Sequence, residues 1–247
     1  VFNLFLYTSV VLIWGSAWLA VKLQLGVVAP EWSIAYRVLC SALIVFLWAW
    51  RRRLSLRFTF RDHLFLILQG LLIFSSNFFL YYQATAYLTT GLIAVISSSA
   101  SAMTILCNCL LQRRRPTGRV LLGAMLGMVG IGVVFWPQLS ALTWSSAIAM
   151  GLILSLGGTI CFSLGGIVSA RNRAAGFPVC GNIAWSMLYG GLLMAGLALW
   201  SGKPATFDLR PAYLASLLYL IIGASVLAFA AYFALLGRIG ADRSAYV

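Results

Sequence analysis

The side chains with chemical capacity in this chain are hydroxyls, amides and phenols set inside long apolar runs. In YLTTGLIAVISSSASAMTILCNCLLQRRRP (87–116), Ser97, Ser101, Thr104 and Asn108 are spaced four, three and four apart. Read as a helix, they share one face. Asn77, Tyr81 and Thr85 share a second such face, with Tyr82 beside them. Tyr7, Trp14, Trp18 and Lys22 form a third at spacings of seven, four and four. Hydrocarbon offers polar groups no partners, so these faces must turn toward protein or water. Two uses fit them: hydrogen bonds between helices, or the wall of a wet cavity. The cavity reading takes Trp14, Asn77, Tyr81, Tyr82, Ser97 and Ser101 as its lining. It describes a neutral, aromatic, hydrogen-bonding pocket suited to a small amphipathic solute.

The charged residues limit the chemistry further. Glu31, Asp62, Asp208 and Asp242 all sit at the ends of apolar runs, and the one histidine, His63, begins a run. Acid–base or metal catalysis needs convergent His, Asp or Glu, which the pattern does not supply, so an enzyme is not expected. No metal site and no cofactor are expected either. Cys107 and Cys109 form a CxC pair that reads as apolar filling. A buried proton relay is likewise missing, which favours facilitated or weakly coupled movement of solute. Arg37 is the clear intramembrane charge. It is a candidate contact for a solute carboxylate, with anchoring of helix ends or snorkelling outward as the alternatives.

The elements that must position these residues follow from composition. The 247 residues are 62% hydrophobic and 9% charged, with mean hydropathy +0.99. A soluble domain carries about 25% charged residues. This is an all-α polytopic membrane protein. Eight apolar segments of spanning length run roughly over 2–22, 32–50, 63–86, 89–112, 119–136, 146–169, 179–200 and 212–236, and all six prolines fall between them. The net charge of +13 would suggest nucleic acid in a soluble chain. Here the arginines instead cluster after segments two, four, six and eight: Arg51–Arg53, Arg57 and Arg61; Arg113–Arg115 and Arg119; Arg171 and Arg173; Arg238 and Arg243. Those connections, and the N-terminus, are expected on the cytoplasmic side. The partners implied are lipid and a small-molecule substrate, not nucleic acid. Gly123, Gly127 and Gly130 give segment five a small-residue face. Its expected use is close helix contact within one protomer, so a monomer is expected, with dimerisation as the alternative.

A weak repeat is present. LYYQATAYLTTGLIAV (80–95) lies on AYFALLGRIGADRSAYV (231–247) at an offset of 151, placing Tyr81 on Tyr232. IWGSAWLAV (13–21) lies on ICFSLGGIV (160–168) at an offset of 147, placing Ser16 on Ser163. Segments one to five would then form one unit, 1–136, and a second would begin at segment six, 146–247. An odd number of spans inverts the second unit, and inverted repeats place a site at their interface near the midplane. Ser163 and Tyr232 join the expected lining on this ground.

IWGSAWLAVK, AYRVLCSALIVF (35–46), ATAYLTTGLIAVISSSASAM, RPTGRVLLGAMLGMVGIGVVF and GRIGADRSAYV resemble the EamA family of the drug/metabolite transporter superfamily. The pattern is similar to the YddG-type amino-acid exporters. The resemblance implies ten helices in two inverted halves with both termini cytoplasmic. It also implies secondary export of amino acids or related metabolites, by alternating access, across a bacterial inner membrane. A channel or facilitator for neutral solutes is the alternative. Against that pattern the sequence ends at the start of the ninth helix, near Ala241, so the complete protein is expected to continue.

Overall fold

A computed structural model describes residues 2–112 and 145–239, with scattered helical positions between 118 and 140. Among the described residues, seven helices are long and apolar enough to cross a membrane, and every regular element is helical. The expected segment 119–136 lies largely outside the described residues, as do Gly127 and the helix expected from Ala241.

Helix starts follow local chemistry. α1 covers Phe2–Leu23. α2, Pro30–Arg51, begins with proline in its first turn, where the missing N–H is harmless. α3 spans Phe60–Ala84. Thr59 and Asp62 close a capping box at its start, which sets the boundary three residues ahead of the apolar run. α5, Ser146–Ala174, is capped by Ser145 and carries Arg171 and Arg173 in its last turn, where cations suit the helix dipole. Gly176 at φ +84° then turns the chain, and the Phe177 N–H donates back to Asn172 O at 3.0 Å. α6 is Val179–Trp200. α7 begins on Pro211 and runs to Ile239.

Two helices are irregular where the hydropathy pattern is uniform. α3 winds as a π-helix over Gly70–Ser76, and α7 does so over Leu220–Leu227. These stretches lie 150–151 residues apart, and the two helices start at Phe60 and Pro211. α4 is not the unbroken span expected from the sequence. It consists of Thr90–Ser97 and Ala100–Gln112. At the break Ser97 and Ser99 hydroxyls donate to the carbonyls of Ala94 at 2.7 Å and Ile96 at 2.6 Å, and Ser98 donates to Val95 O. Three consecutive hydroxyls competing for helix carbonyls explain the interruption.

The most extensive helix contact is α2 on α6. Around it the neighbours are matched: α3 lies against α5 and α6, while α7 lies against α1 and α2. Ile34, Ala35, Val38, Ile73, Phe74, Ile183, Met187, Leu220 and Phe233 form a core at no more than 1% exposure. Leu12, Leu47, Trp50 and Trp200 face outward and are exposed, as lipid-facing side chains are. Water does not drive helices together inside lipid, so close approach matters most. A Cβ at Gly70 would lie 2.4 Å from Ser186 O, and one at Gly190 would lie 2.8 Å from Gly70 O. At this crossing α3 and α6 therefore meet backbone against backbone. At Gly130 a Cβ would meet nothing within 4 Å among the described residues, and the nearby Met125, Leu126 and Val129 are exposed.

Candidate functional site

A cavity of about 380 Å³ lies between α1, α2, α3, α4, α5 and α7. Its walls are built helix by helix. α1 supplies Trp14 and Trp18, one turn apart. The Trp14 ring sits edge-on to Phe229 and Phe162, with centroids 5.0 and 5.7 Å away, and 5.1 Å from Tyr232. Its indole N–H donates to Ala224 O at 3.1 Å. That carbonyl belongs to the π-helical stretch of α7, where irregular winding leaves backbone groups for side chains to satisfy.

α3 supplies Asn77, Phe78, Tyr81 and Tyr82. The Asn77 amide donates to Gly158 O on α5 at 2.9 Å. The Tyr81 hydroxyl lies 3.1 Å from Thr159 Oγ1. The Tyr81 ring covers Gly158, where a Cβ would stand 2.8 Å from it, and meets Trp18 with centroids 5.3 Å apart. Both uses expected for these groups therefore coexist: they join helices and they face the cavity. Tyr82 donates to Gln24 Oε1 at 3.1 Å. α4 supplies Ala94, Ser97, Ser98, Ala100 and Ser101 at its interruption, so the broken segment of helix forms one wall.

Arg37 on α2 also lines the cavity and is 4% exposed. Its Nε donates to Ser225 Oγ at 2.9 Å, and its guanidinium lies 4.2 Å from the centre of the Phe78 ring. The alternative of snorkelling outward does not describe this buried, bonded position.

The structure thus gathers Trp14, Arg37, Asn77, Tyr81, Tyr82, Ser97, Ser101 and Tyr232 around one space. Ser163 is not among the residues that line it. It is buried on α5 and donates to Ala100 O at 3.3 Å, closing the second part of α4 instead of lining the cavity. Thr104, Asn108, Tyr7 and Lys22 also lie outside the lining. Phe78, Phe162 and Phe229 were missed by sequence reasoning. Phe78 and Phe229 lie 151 residues apart, the same offset as Tyr81 and Tyr232; carrying that alignment three residues back would have found them.

A family model described as the EamA-like transporter family matches residues 2–136. An uncharacterised transporter of Haemophilus influenzae is 24% identical over 148 residues, which is 60% of this chain and 48% of that protein. Protein PagO of Salmonella typhimurium is 20% identical over 245 residues, covering 98% of this chain and 79% of PagO. The chain thus spans about half of one curated relative and four-fifths of the other. A solved crystal structure superposes at a TM-score of 0.76 with 18% identity, covering 98% of this chain and 83% of that one, a likeness of fold.

Proposed function

This chain belongs to the EamA-like transporter family, and from that premise we propose that it is a secondary carrier exporting amino acids or related amphipathic metabolites by alternating access. It is an integral membrane protein of a transporter family. The reading adds that two inverted halves, 1–136 and 146–247, rock about the cavity between them. Supporting this are the matched helix neighbours and the equivalent placing of the π-helical stretches in α3 and α7. Inverted-repeat carriers place their sites at such an interface.

The observation that carries the function is the cavity itself. It is mostly aromatic and apolar, it contains amide and hydroxyl donors, and one cationic side chain lines it. Pockets of that make-up and volume hold small amphipathic ligands. The arginine clusters favour an N-terminus in the cytoplasm, and membership of the family is the ground for placing the chain in a bacterial inner membrane.

Uptake of radiolabelled L-phenylalanine and L-leucine into proteoliposomes tests this reading. Uptake is expected to saturate. Asn77→Ala and Tyr81→Ala are expected to reduce it strongly in protein that still melts cooperatively. Unchanged kinetics in both variants would contradict the cavity assignment.

A further inference from the structure

Arg37 is the one charged residue of the cavity wall among the described residues. Among the described residues, no aspartate or glutamate lines the cavity. The ion pair they form, Arg210 with Asp208 at 2.6 Å, lies in the loop before α7. The Arg37 guanidinium therefore stands against a ring face and a neutral hydroxyl, Phe78 and Ser225, with Tyr82 beside it in the cavity wall. A buried cation with only neutral partners favours any anion that can reach it. The guanidinium is also held in place, since Ser225 takes its Nε while Phe78 supports its plane. Immobilised donors of this kind lose little freedom when an anion arrives.

The packing partner of α2 carries no second charge. α2 and α6 are each 22 residues long, starting at Pro30 and Val179. At an offset of 149, Arg37 falls on Ser186, a neutral residue. Among the described residues, the positive site of the cavity wall thus stands on α2 and has no counterpart on α6, and it lies beside the π-helical stretch of α7.

Resting on the transport reading above, we propose that Arg37 is an anion subsite that holds the carboxylate of the transported solute in a single orientation. The aromatic set of Trp14, Phe162 and Phe229 then receives the apolar body. Selectivity follows from charge. Monocarboxylates with an aromatic or branched body bind best. Cations are repelled, and a zwitterion binds through its carboxylate while its ammonium finds no acidic partner in the described wall.

The test is calorimetric binding to the full-length protein in nanodiscs, using 3-phenylpropionate, its amide, 2-phenylethylamine, L-phenylalanine and phenyl phosphate. In the wild type, 3-phenylpropionate is expected to bind about tenfold or more tightly than its amide, the gain of a charge-assisted contact. The amine is expected to bind worst. Arg37→Gln is expected to bring the carboxylate down to the amide's affinity, with Arg37→Lys between. Equal binding of carboxylate and amide by the wild type overturns the subsite and leaves the cavity reading standing. That comparison needs no variant, so a folding defect in Arg37→Gln cannot protect the proposal. A gap that survives Arg37→Gln also overturns it. Tighter binding of phenyl phosphate overturns the carboxylate assignment. Failure of every probe to bind the wild type overturns both the subsite and the transport reading.

Discussion

Replacing Gly70 by alanine should weaken the bundle where α3 and α6 cross backbone against backbone. The added Cβ would stand 2.4 Å from Ser186 O and 3.0 Å from Gly190 N. Both are backbone atoms, so no side chain can swing aside. Ordinary contact begins near 3.4 Å, and α3 and α6 must therefore part by about 1 Å. A gap of that size removes roughly a quarter to a half of each dispersion contact across it. Phe74, Ile73, Ile183 and Met187, all within 1% of full burial, sit at or beside this crossing. Overpacking of this kind costs about 1–3 kcal/mol. Alanine also gains helix propensity over glycine, about 0.5–1 kcal/mol, which would blur the result. Gly196→Ala on α6 carries the same gain, and nothing described lies within 4 Å of its Cβ. The difference between the two variants isolates the clash. It should be about 1–3 kcal/mol, or roughly 5- to 150-fold in the unfolding constant. Reversible unfolding in mixed micelles, followed by tryptophan fluorescence, measures it. Gly190→Ala meets the same crossing from the other side and should not add to Gly70→Ala. Equal stability of Gly70→Ala and Gly196→Ala would refute the reasoning.

Gly158→Ala should act on transport more than on stability, because its Cβ meets the side chain of Tyr81 at 2.8 Å and the ring can move into the cavity. A raised KM for labelled L-phenylalanine is expected, with a smaller stability loss than Gly70→Ala. Uptake should change little when a pH gradient is imposed on the liposomes, since the described cavity wall holds no carboxylate or histidine; strong gradient dependence would contradict this. Asp208 accepts from Arg210 Nε at 2.6 Å and from its backbone N–H at 2.9 Å, which holds its carboxyl below the usual range. A group with a lowered pKa contributes stability above its unfolded value, about 3.9, and loses it as pH falls through the lower folded value. Asp208→Asn should thus melt slightly below wild type at pH 7, by little because Arg210 is exposed. The two curves should begin to draw together below about pH 4 and meet once pH lies below the lowered folded value.

The spans were legible because apolar length, proline placement and arginine clusters all mark the same boundaries. Seven segments expected from 2–22 to 212–236 reappear within a few residues of their expected ends. Polar faces located most of the cavity wall for a similar reason: few places in a bilayer accept Asn77 or Ser97. Three features were hidden. The π-helical stretches at Gly70–Ser76 and Leu220–Leu227 leave no mark on hydropathy, which averages over a shift of one residue. The interruption of α4 depended on three serines bonding backward, which spacing alone reads as a continuous stripe. Ser163 was placed by repeat alignment, and alignment reports equivalence without direction; its hydroxyl turns toward Ala100 O. The glycines that matter for close contact were also obscure. Gly70, Gly158 and Gly190 stand far apart in sequence, whereas GxxxG spacing draws attention to segment five.

Counterflow tests the central claim most directly. Liposomes containing the full-length protein and preloaded with unlabelled L-phenylalanine would receive a trace of labelled L-phenylalanine outside. A carrier that exposes one cavity to alternate sides should accumulate label transiently above equilibrium, at a rate that saturates with internal substrate. Label that only equilibrates, with no acceleration by the preload, would contradict the account and favour an open pathway.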